Sequence, residues 1–422
     1  MNKNFTLLSL RDFEHIPGAT ITERAAATGE YLDYLESARM LNYRLPALSG
    51  CGPELELDNH GFLKKGKYIS FVSNDYLGFT QHPLIKQTAA EAIRKYGSGS
   101  GASPLIGGFY DFHRQIENRL CEFFGRPAGS ALIYTTGYTA NSATLLSLLS
   151  KQDIAIVDMA VHTSVYEGIS HTNTKRFPHN DLDSLERVLR STQGIYNTRL
   201  VVVDGVYSQD GDLAPLEEIL SLCRSYDATI LVDDAHGIGV LGKTGRGALQ
   251  VFDLLDKVDF ITGTFSKTFA YVGGYVIASP EVIRYLQFQS RQYAFSASAP
   301  PSILVVERAL GLLDQEPQWQ KTLWENISYY KTGLETLGLD TGTTESAIIP
   351  VKIGDQEKTL HLGKLLLENG IYTNPITYPA VSQKDSRIRM SVIATHTRQH
   401  LDKALNVFEY AAKKLNISGL RT

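Results

Sequence analysis

The chain has 422 residues, 43% of them hydrophobic and 20% charged, so it can bury a large core and is expected to form two lobes. Its formal net charge is -4 and no long basic stripe accompanies it, which argues against nucleic acid as a partner. Three widely spaced cysteines predict a reducing compartment and neither a disulfide framework nor a zinc site. The sequence shows no signal-like or membrane-spanning apolar run, so we expect a cytoplasmic protein with at most peripheral membrane contact.

Residues 1–58 are predicted to form an N-terminal arm ahead of the main fold. Thr20 and Glu23 match a capping box, and the segment after them has a helical pattern despite Gly29. Prolines and glycines between residues 46 and 53 then break the chain. We expect this helix to pack on a neighbouring subunit, and a membrane-surface helix is the less favoured alternative.

Residues 59–298 are predicted to form a large α/β domain. YISFVSNDYLG opens it, and short apolar runs then alternate with amphipathic segments; the runs are ALIYTT, IAIVD, LVVVDG, TILVDD, FITGT and GYVIAS. Strands separated by helices predict a mostly parallel central sheet flanked by helices, whose ligands collect at the carboxyl ends of the strands. Residues 299–422 are predicted to form a smaller C-terminal α+β domain.

Three reactive side chains follow predicted strands, namely Asp204, Asp233 and Lys267. A lysine amine attacks aldehydes only when it is unprotonated, and partial burial lowers its pKa, so Lys267 can carry a Schiff base. A buried carboxylate such as Asp233 needs a cationic partner, and a protonated pyridine nitrogen is one. Together they predict pyridoxal phosphate (PLP), an electron sink for carbanions.

A phosphate site is predicted where a strand meets the helix that begins near NSATLLSLLS. Thr136, Gly137 and Tyr138 lie at that junction, so the first amides of the helix would point at an anion. Thr264 and Ser266 flank the lysine and would add hydroxyl donors. The sequence therefore predicts the cofactor phosphate here.

Several ordered motifs carry a family resemblance: VDDAHGIG, GTFSKTFA, SNDYLG, TTGYTAN, DGVYSQDGDLAPL, FSASAPP and RIRMSVIATHT. The chain is identified by them as a member of the α-oxoamine synthases, PLP enzymes of fold type I. The resemblance spans roughly residue 60 to the C-terminus and implies a fold-type I transferase architecture. It also implies a homodimer with active sites at the interface.

The resemblance assigns roles to individual residues. Lys267 carries the cofactor and acts as acid and base, Asp233 holds the ring nitrogen protonated, and His162 stacks on the ring. The remaining predicted contacts are Ser208 and His236 to the ring's 3-hydroxyl oxygen, Ser296 in a segment that reaches the neighbour's phosphate, and Asn74 and Arg389 to the substrate carboxylate.

The implied reaction is the decarboxylative condensation of an amino acid with an acyl thioester, carried by CoA or an acyl-carrier protein, to a 2-amino-ketone. NPITYPAV and the GTFSK core most resemble the serine-using, sphingolipid-forming branch, which predicts a long-chain acyl group and a 3-ketosphinganine-like product. That branch carries an arginine after its glycine loop, whereas this chain has Pro104 to Phe109 without one. Cysteate and glycine therefore stay open as alternative amino acids.

A nucleotide-binding protein is the alternative from another class. GIGVLGKT, residues 237–244, matches the P-loop pattern and would make Lys243 a phosphate ligand. Glycines directly after the motif disfavour the helix that a P-loop requires, so we expect the match to be inert.

Other polar residues receive structural interpretations. Asp233, Asp234 and His236 lack a further ligand at suitable spacing, so no metal site is expected. Arg387 shares a strand face with Arg389, and a surface ion pair is the preferred interpretation. His171 and His179 carry no functional signal.

Overall fold

The computed structural model describes residues 5, 8–61 and 63–417, so residues 1–4, 6 and 7 of the predicted arm lie outside the described residues. Its helices are α1 (Ile21–Ser37), α2 (Pro83–Tyr96), α3 (Asp111–Phe123), α4 (Gly137–Leu148), α5 (Thr163–Gly168), α6 (Leu182–Thr192), α7 (Leu216–Ser225), α8 (Ala248–Val251), α9 (Pro280–Gln289), α10 (Arg291–Ala294), α11 (Val305–Gln315), α12 (Gln318–Thr336), α13 (Gln356–Glu368) and α14 (Arg398–Lys414). Its strands are β1 (Glu54–Leu57), β2 (Gly66–Ser70), β3 (Ala131–Tyr134), β4 (Ile154–Asp158), β5 (Asn173–Phe177), β6 (Arg199–Asp204), β7 (Thr229–Asp233), β8 (Phe260–Thr264), β9 (Gly274–Ile277), β10 (Ile348–Lys352), β11 (Ile371–Tyr372), β12 (Asn374–Ile376) and β13 (Arg387–Ser391).

The chain divides into two compact units. One is continuous, residues 74–323, and the other combines residues 1–73 with residues 324–422. These divisions fall at other positions than the predicted domain boundaries after residues 58 and 298, and the N-terminal arm belongs to the same unit as the C-terminal segment. The division into an arm and two domains stays a prediction of the sequence.

The continuous unit is built on a sheet with the strand order β3-β9-β8-β7-β6-β4-β5. Strand β9 runs antiparallel to β3 and β8, and the other neighbouring pairs are parallel. Every residue of β4 and β6 is buried, as expected for apolar strands that helices cover on both faces. The predicted mostly parallel central sheet is therefore confirmed.

The sequence did not predict the edge strand β5. Its residues NTKRF include four exposed side chains and only one buried residue, Phe177. Because the strand pairs only with β4, its outer edge and most of its side chains face solvent, and the apolar pattern that marks a strand is missing.

The discontinuous unit contains two small sheets, β1-β2-β11 and β10-β13-β12. Strand β2 lies in the segment predicted to open the large domain, but it pairs with β1 and β11 and not with the central sheet. The preferred interpretation of Arg387 was a surface ion pair. Its Nη2 does lie 4.0 Å from the Oδ1 of Asp385, but Arg387 is only 3% exposed on β13, so the predicted surface position is wrong. Its Nε also donates to the backbone oxygen of Asp385 at 2.7 Å.

Contacts within the discontinuous unit hold the N-terminal arm in place. Helix α1 begins with the predicted capping box between Thr20 and Glu23, which is confirmed. Its inner face joins an aromatic cluster in which the rings of Phe13 and Tyr31 stack at 5.1 Å. Beyond the helix, the hydroxyl of Tyr43 donates to the backbone oxygen of Pro375 at 2.6 Å. Packing of the arm on a neighbouring subunit stays a prediction.

Neither a membrane-spanning helix nor a metal-binding cluster is found among the described residues. Within residues 5, 8–61 and 63–417, no helix combines the length and apolar character needed to cross a bilayer. The same ranges contain no group of three or more His, Cys, Asp and Glu side chains arranged to hold a metal ion.

Candidate active site

An open cavity of about 830 Å³ lies within the continuous unit, next to the carboxyl ends of β6, β7 and β8. Ten of the predicted cofactor-binding residues line it together: Thr136, Gly137, Tyr138, His162, Ser208, Asp233, His236, Thr264, Ser266 and Lys267. Ser296, also predicted to bind the cofactor, is an exposed residue that does not line this cavity. The structure therefore gathers side chains from segments far apart in sequence into one site.

Lys267 lies in the loop that joins β8 to β9, and backbone hydrogen bonds fix this loop at both ends. The N–H of Phe265 donates to the oxygen of Gly273 at 2.9 Å, and the N–H of Tyr271 donates to the oxygen of Phe265 at 3.0 Å. The hydroxyl of Thr268 donates to the oxygen of Ile238 at 2.7 Å. Lys267 is half-buried in the cavity wall, so the loop presents one amine to the cavity.

The N-terminus of α4 and two hydroxyls form one end of the cavity. Thr136 caps the helix, whose first residues, Gly137 and Tyr138, line the cavity. The hydroxyl oxygens of Thr264 and Ser266 lie 2.7 Å apart on the opposite loop. Helix amides without an intrahelical partner and adjacent hydroxyls favour an anion, so we name these five residues the anion cradle.

Two glycines permit the close packing of this cradle. A Cβ at Gly137 would lie 2.6 Å from the Oγ1 of Thr264. A Cβ at Gly274 would lie 2.5 Å from the backbone oxygen of Thr136 and 2.7 Å from the N of Gly137. Since backbone atoms cannot yield as a flexible side chain can, β9 approaches α4 this closely only because residue 274 is glycine.

Asp233 ends β7, is 6% exposed, and is oriented by two donors. The N–H of Ala235 donates to its Oδ1 at 3.0 Å, and the Nδ2 of Asn141 donates to its Oδ2 at 2.6 Å. Asn141 also donates to the Oγ of Ser164 at 3.0 Å. The sequence did not predict a role for Asn141, although it is the last residue of the TTGYTAN motif.

Asp204 ends the neighbouring strand β6 and is in register with Asp233. Burial, followed by the nearby charge of Asp233, raises the pKa of Asp204 well above its ordinary value. Two adjacent buried carboxyls do not both ionise readily, and burial disfavours the charged form of Asp204. Across the described residues the Oδ1 of Asp204 has no hydrogen-bond partner, so the cavity keeps one buried polar atom to offer to a ligand.

His162 caps α5 and forms another part of the wall. Burial lowers its pKa, and Lys267 lowers it further, while Asp233 acts in the opposite direction. Its Nδ1 lies 2.8 Å from the Oγ of Ser164, and its ring meets that of Tyr138 edge-on at 5.9 Å. A neutral imidazole can cover a cationic aromatic ring without charge repulsion.

His236 is held by a residue that sequence reasoning missed. The hydroxyl of Tyr76, which is fully buried, lies 2.6 Å from the Nδ1 of His236. Tyr76 belongs to the SNDYLG motif, but nothing in the sequence connects two residues so far apart. Its hydrogen bond fixes the orientation of the His236 ring at the cavity.

Asp234 has a different role from its neighbour Asp233. It is fully buried beneath the glycine-rich loop 237–247 and accepts a hydrogen bond from the N–H of Ala248 at 2.8 Å. Helix α8 begins only at Ala248, and Lys243 is exposed in a turn. Because no helix begins at the Gly-Lys pair, the P-loop alternative is wrong.

Comparison with known proteins decides the family. Residues 66–408 match the family described as aminotransferase class I and II. The chain belongs to this family. Within it the chain is an α-oxoamine synthase, as predicted. It is 41% identical to "8-amino-7-oxononanoate synthase" of Bacillus pumilus over 358 residues, which are 84% of this chain and 91% of the relative.

Comparison with solved structures supports the same family. The serine palmitoyltransferase of Sphingomonas wittichii superposes with a TM-score of 0.88 at 30% identity, over 94% of this chain and 100% of that chain. A high-resolution structure of a protein named SPT, described as containing PLP, also has a TM-score of 0.88, at 29% identity, with the same coverage. The fold-type I architecture and PLP as cofactor are confirmed.

The donor set of this α-oxoamine synthase fits PLP. The anion cradle suits the phosphate, the ionised Asp233 suits the ring nitrogen, and His162 suits a ring face. Lys267 supplies the amine for the aldehyde carbon. Ser208 and His236 line the cavity where the resemblance places the 3-hydroxyl oxygen.

The two predicted substrate residues belong to different units. Asn74 begins the continuous unit, and its Oδ1 lies 3.4 Å from the hydroxyl of Tyr76. Arg389 lies on β13 of the discontinuous unit, is 6% exposed, and its Nη1 donates to the Oγ of Ser391 at 3.0 Å. Their shared role in binding a carboxylate stays a prediction.

Proposed function

We propose that this α-oxoamine synthase joins a small amino acid to an acyl thioester with loss of carbon dioxide, giving a 2-amino-ketone. The observation that carries the proposal is the cavity in which Lys267, the ionised Asp233 and the anion cradle converge. When bound there, PLP supplies an electron sink for the α-carbon of the amino acid. The residues of the chain then bind, orient and move protons.

Each cavity residue has a distinct task in this proposal. Asp233 keeps the ring nitrogen protonated, since its carboxylate is fixed by two donors and burial disfavours the charged form of its neighbour Asp204. Lys267 takes the proton from the α-carbon and returns one to the product. The anion cradle fixes the phosphate, and His162 keeps water from one ring face. Asn74 and Arg389 are proposed to hold the substrate carboxylate.

Alanine and a dicarboxylic acyl thioester are our first candidate substrates. Several relatives at 37–41% identity carry the name 8-amino-7-oxononanoate synthase. That name describes a nine-carbon acid with an amino group on carbon 8 beside a ketone on carbon 7. Carbons 8 and 9 match alanine without its carboxyl group, and the other seven match a seven-carbon dicarboxylic acyl group. Biotin synthesis is then the proposed setting.

Serine with a long-chain acyl thioester is the second candidate. It was our first expectation from the sequence, and the observation in its favour is the TM-score of 0.88 with serine palmitoyltransferase. The identity of 30% to that protein is lower than the 41% to the Bacillus pumilus relative. Fold similarity extends across a family with different substrates, so we rank serine second and cysteate and glycine after it.

A homodimer is part of the proposal. Ser296 is exposed and lies outside the chain's own cavity, as expected for a residue that serves the site of a neighbour. Large apolar side chains of the continuous unit are also exposed, with Phe295 and Ile106 each at 77%. Sedimentation at assay concentration should give a dimer, and an active monomer would contradict this part.

The substrates are tested by incubating the purified, PLP-loaded enzyme with each amino acid and each thioester separately. Alanine, serine, cysteate and glycine are each paired with pimeloyl and palmitoyl thioesters, and the products are identified by mass. We expect carbon dioxide release and a nine-carbon amino-ketone only with alanine and the pimeloyl donor. A product only from serine and the palmitoyl donor would establish the second candidate, and no amino-ketone from any pair would refute the proposed function.

A further inference from the structure

His179 lies outside the cavity, between two carboxylates. Its Nδ1 is 3.2 Å from the Oδ1 of Asp158 and 3.3 Å from the Oδ2, and its Nε2 is 2.9 Å from the Oδ2 of Asp212. Carboxylates only accept hydrogen bonds, so both ring nitrogens must donate, and the ring is an imidazolium. We name these three residues the histidine clamp.

The two carboxylates of the clamp belong to different parts of the fold. Asp158 ends β4, is fully buried, and also accepts hydrogen bonds from the N–H groups of Ala160 at 2.7 Å and Asn180 at 2.8 Å. Asp212 lies in the turn that follows β6. The clamp therefore links the turn after β6 to the end of β4 in the central sheet.

That turn carries a cavity residue. The N–H of Tyr207 donates to the oxygen of Asp212 at 3.0 Å, and the N–H of Gly211 donates to the oxygen of Tyr207 at 2.8 Å, which closes the turn around Ser208. The ring of Tyr207 meets His179 edge-on at 4.3 Å. Ser208 itself lines the cavity, so the position of the turn sets the position of its hydroxyl.

We propose that His179 is a positioning residue for the cofactor, because its imidazolium holds the Ser208 turn against β4. It touches neither cofactor nor substrate. The inference rests on the proposed place of Ser208 beside the 3-hydroxyl oxygen of PLP. A displaced turn weakens that contact, which lowers cofactor affinity and changes the protonation of the cofactor's phenolic oxygen.

The charge on the clamp persists across the neutral range. Burial alone would lower the pKa of His179, but the hydrogen bonds to Asp158 and Asp212 outweigh it and raise the pKa to about 10. The groups that face the ring are these two carboxylates and the hydroxyl of Tyr207, whose pKa burial raises. Since the pKa of His179 is raised in the folded protein, the stability that the clamp contributes is fully present below the ordinary pKa of histidine and is lost as pH rises through about 10.

The test compares His179→Gln with wild-type enzyme and with the control His171→Gln. His171 also makes one buried contact, from its Nε2 to the oxygen of Leu149 at 2.7 Å, but it lies outside the cavity wall and the clamp. The measurements are the dissociation constant of PLP from the full chain and the ratio of the two absorption bands of bound PLP. We expect about tenfold weaker PLP binding and a changed band ratio in His179→Gln, the range seen when a group that orients a ligand is removed, and neither change in the control.

A second variant, Asp212→Asn, keeps the proposal testable if His179→Gln does not fold. Asp212→Asn keeps the pair between His179 and Asp158 but cuts the charged link to the turn. It should shift the band ratio in the same direction, and the pH at which that ratio changes should fall below the wild-type value, because one of the two acceptors that raise the pKa is gone. Wild-type affinity, band ratio and pH profile in both variants would overturn the proposal while leaving the proposed function intact. Equal changes in the His171→Gln control would overturn it too.

Discussion

Two loops of the continuous unit each present one lysine among glycines and hydroxyl residues, yet their surroundings differ. Lys267 follows the buried strand β8, is half-buried, and faces a cavity that also contains Asp233 and the anion cradle. Lys243 lies in the 237–247 loop and is exposed, and the next residue, Thr244, donates its N–H to the Oε1 of Gln250 at 3.0 Å rather than starting a helix. The letters of a motif therefore carry less information than the burial and charge around the reactive atom.

The same contrast separates the adjacent residues Asp233 and Asp234. One carboxylate faces the cavity, and the other holds backbone N–H groups beneath the glycine-rich loop. Asp233 ends β7 and Asp234 directly follows the strand, so the two acids of the DD pair lie in different environments. Asp233 is therefore placed to act on a ligand in the cavity, whereas Asp234 stabilises the glycine-rich loop.

Replacing the cavity lysine should have the largest effect. Lys267→Ala removes the amine that binds the cofactor and moves the α-carbon proton, so turnover should fall by roughly 10²–10⁴-fold or more. Steady-state product formation at saturating PLP measures this loss. Borohydride reduction of the wild type should attach PLP to the peptide that contains Lys267; attachment to another lysine would contradict the site.

The paired acids at the strand ends should differ in effect. Asp233→Asn removes a charge worth about 4 kcal/mol to the ring nitrogen at an effective dielectric near 20, so turnover should fall by about 10²–10³-fold. Asp204→Asn replaces a carboxyl whose charged form burial disfavours, so turnover should fall less than in Asp233→Asn. Turnover of the two variants side by side tests the assignment, and a larger loss in Asp204→Asn would reverse it.

A methyl group at the anion cradle should weaken cofactor binding. Gly274→Ala places a Cβ 2.5 Å from the backbone oxygen of Thr136, which forces β9 and α4 apart. We expect PLP affinity to fall about tenfold, equivalent to about 1.4 kcal/mol, in an equilibrium titration. Gly311→Ala is the matched control, because nothing lies within 4 Å of its added Cβ, and it should bind PLP normally.

The exposed lysine should be dispensable. Lys243→Ala should leave PLP affinity and condensation unchanged within error, because Lys243 contacts neither the cavity nor the anion cradle. The check is a parallel assay of condensation and magnesium-dependent ATP hydrolysis. ATP hydrolysis in the wild type that disappears in this variant would restore the nucleotide-binding alternative.

Sequence reasoning succeeded where one local signal decided the structure. Runs such as LVVVD are buried on both faces, so their apolar pattern marks each strand between two helices. In a parallel sheet the carboxyl ends of the strands lie at one edge, which brings the side chains there together. It failed where distant residues decide. Strand β5 is polar because it forms an edge, β2 joins another sheet, and Tyr76 reaches His236 only in the folded chain.

The burial of Arg387 and the charge on His179 were missed for the same reason. The local sequence does not show that β13 is buried along its whole length, and His179 finds its carboxylates on two separate elements. A unit formed from both ends of the chain also leaves no contiguous pattern in the sequence.

The split of the chain into a continuous unit and a discontinuous one sets the order in which the two units can fold during synthesis. Residues 1–73 must wait for residues 324–422 before their unit can close, and those leave the ribosome after residues 74–323. A nascent chain that ends at residue 323 already contains every side chain that lines the cofactor cavity. All residues of the central sheet and the PLP pocket have therefore been synthesised before residues 324–422, with which the N-terminal arm forms its unit.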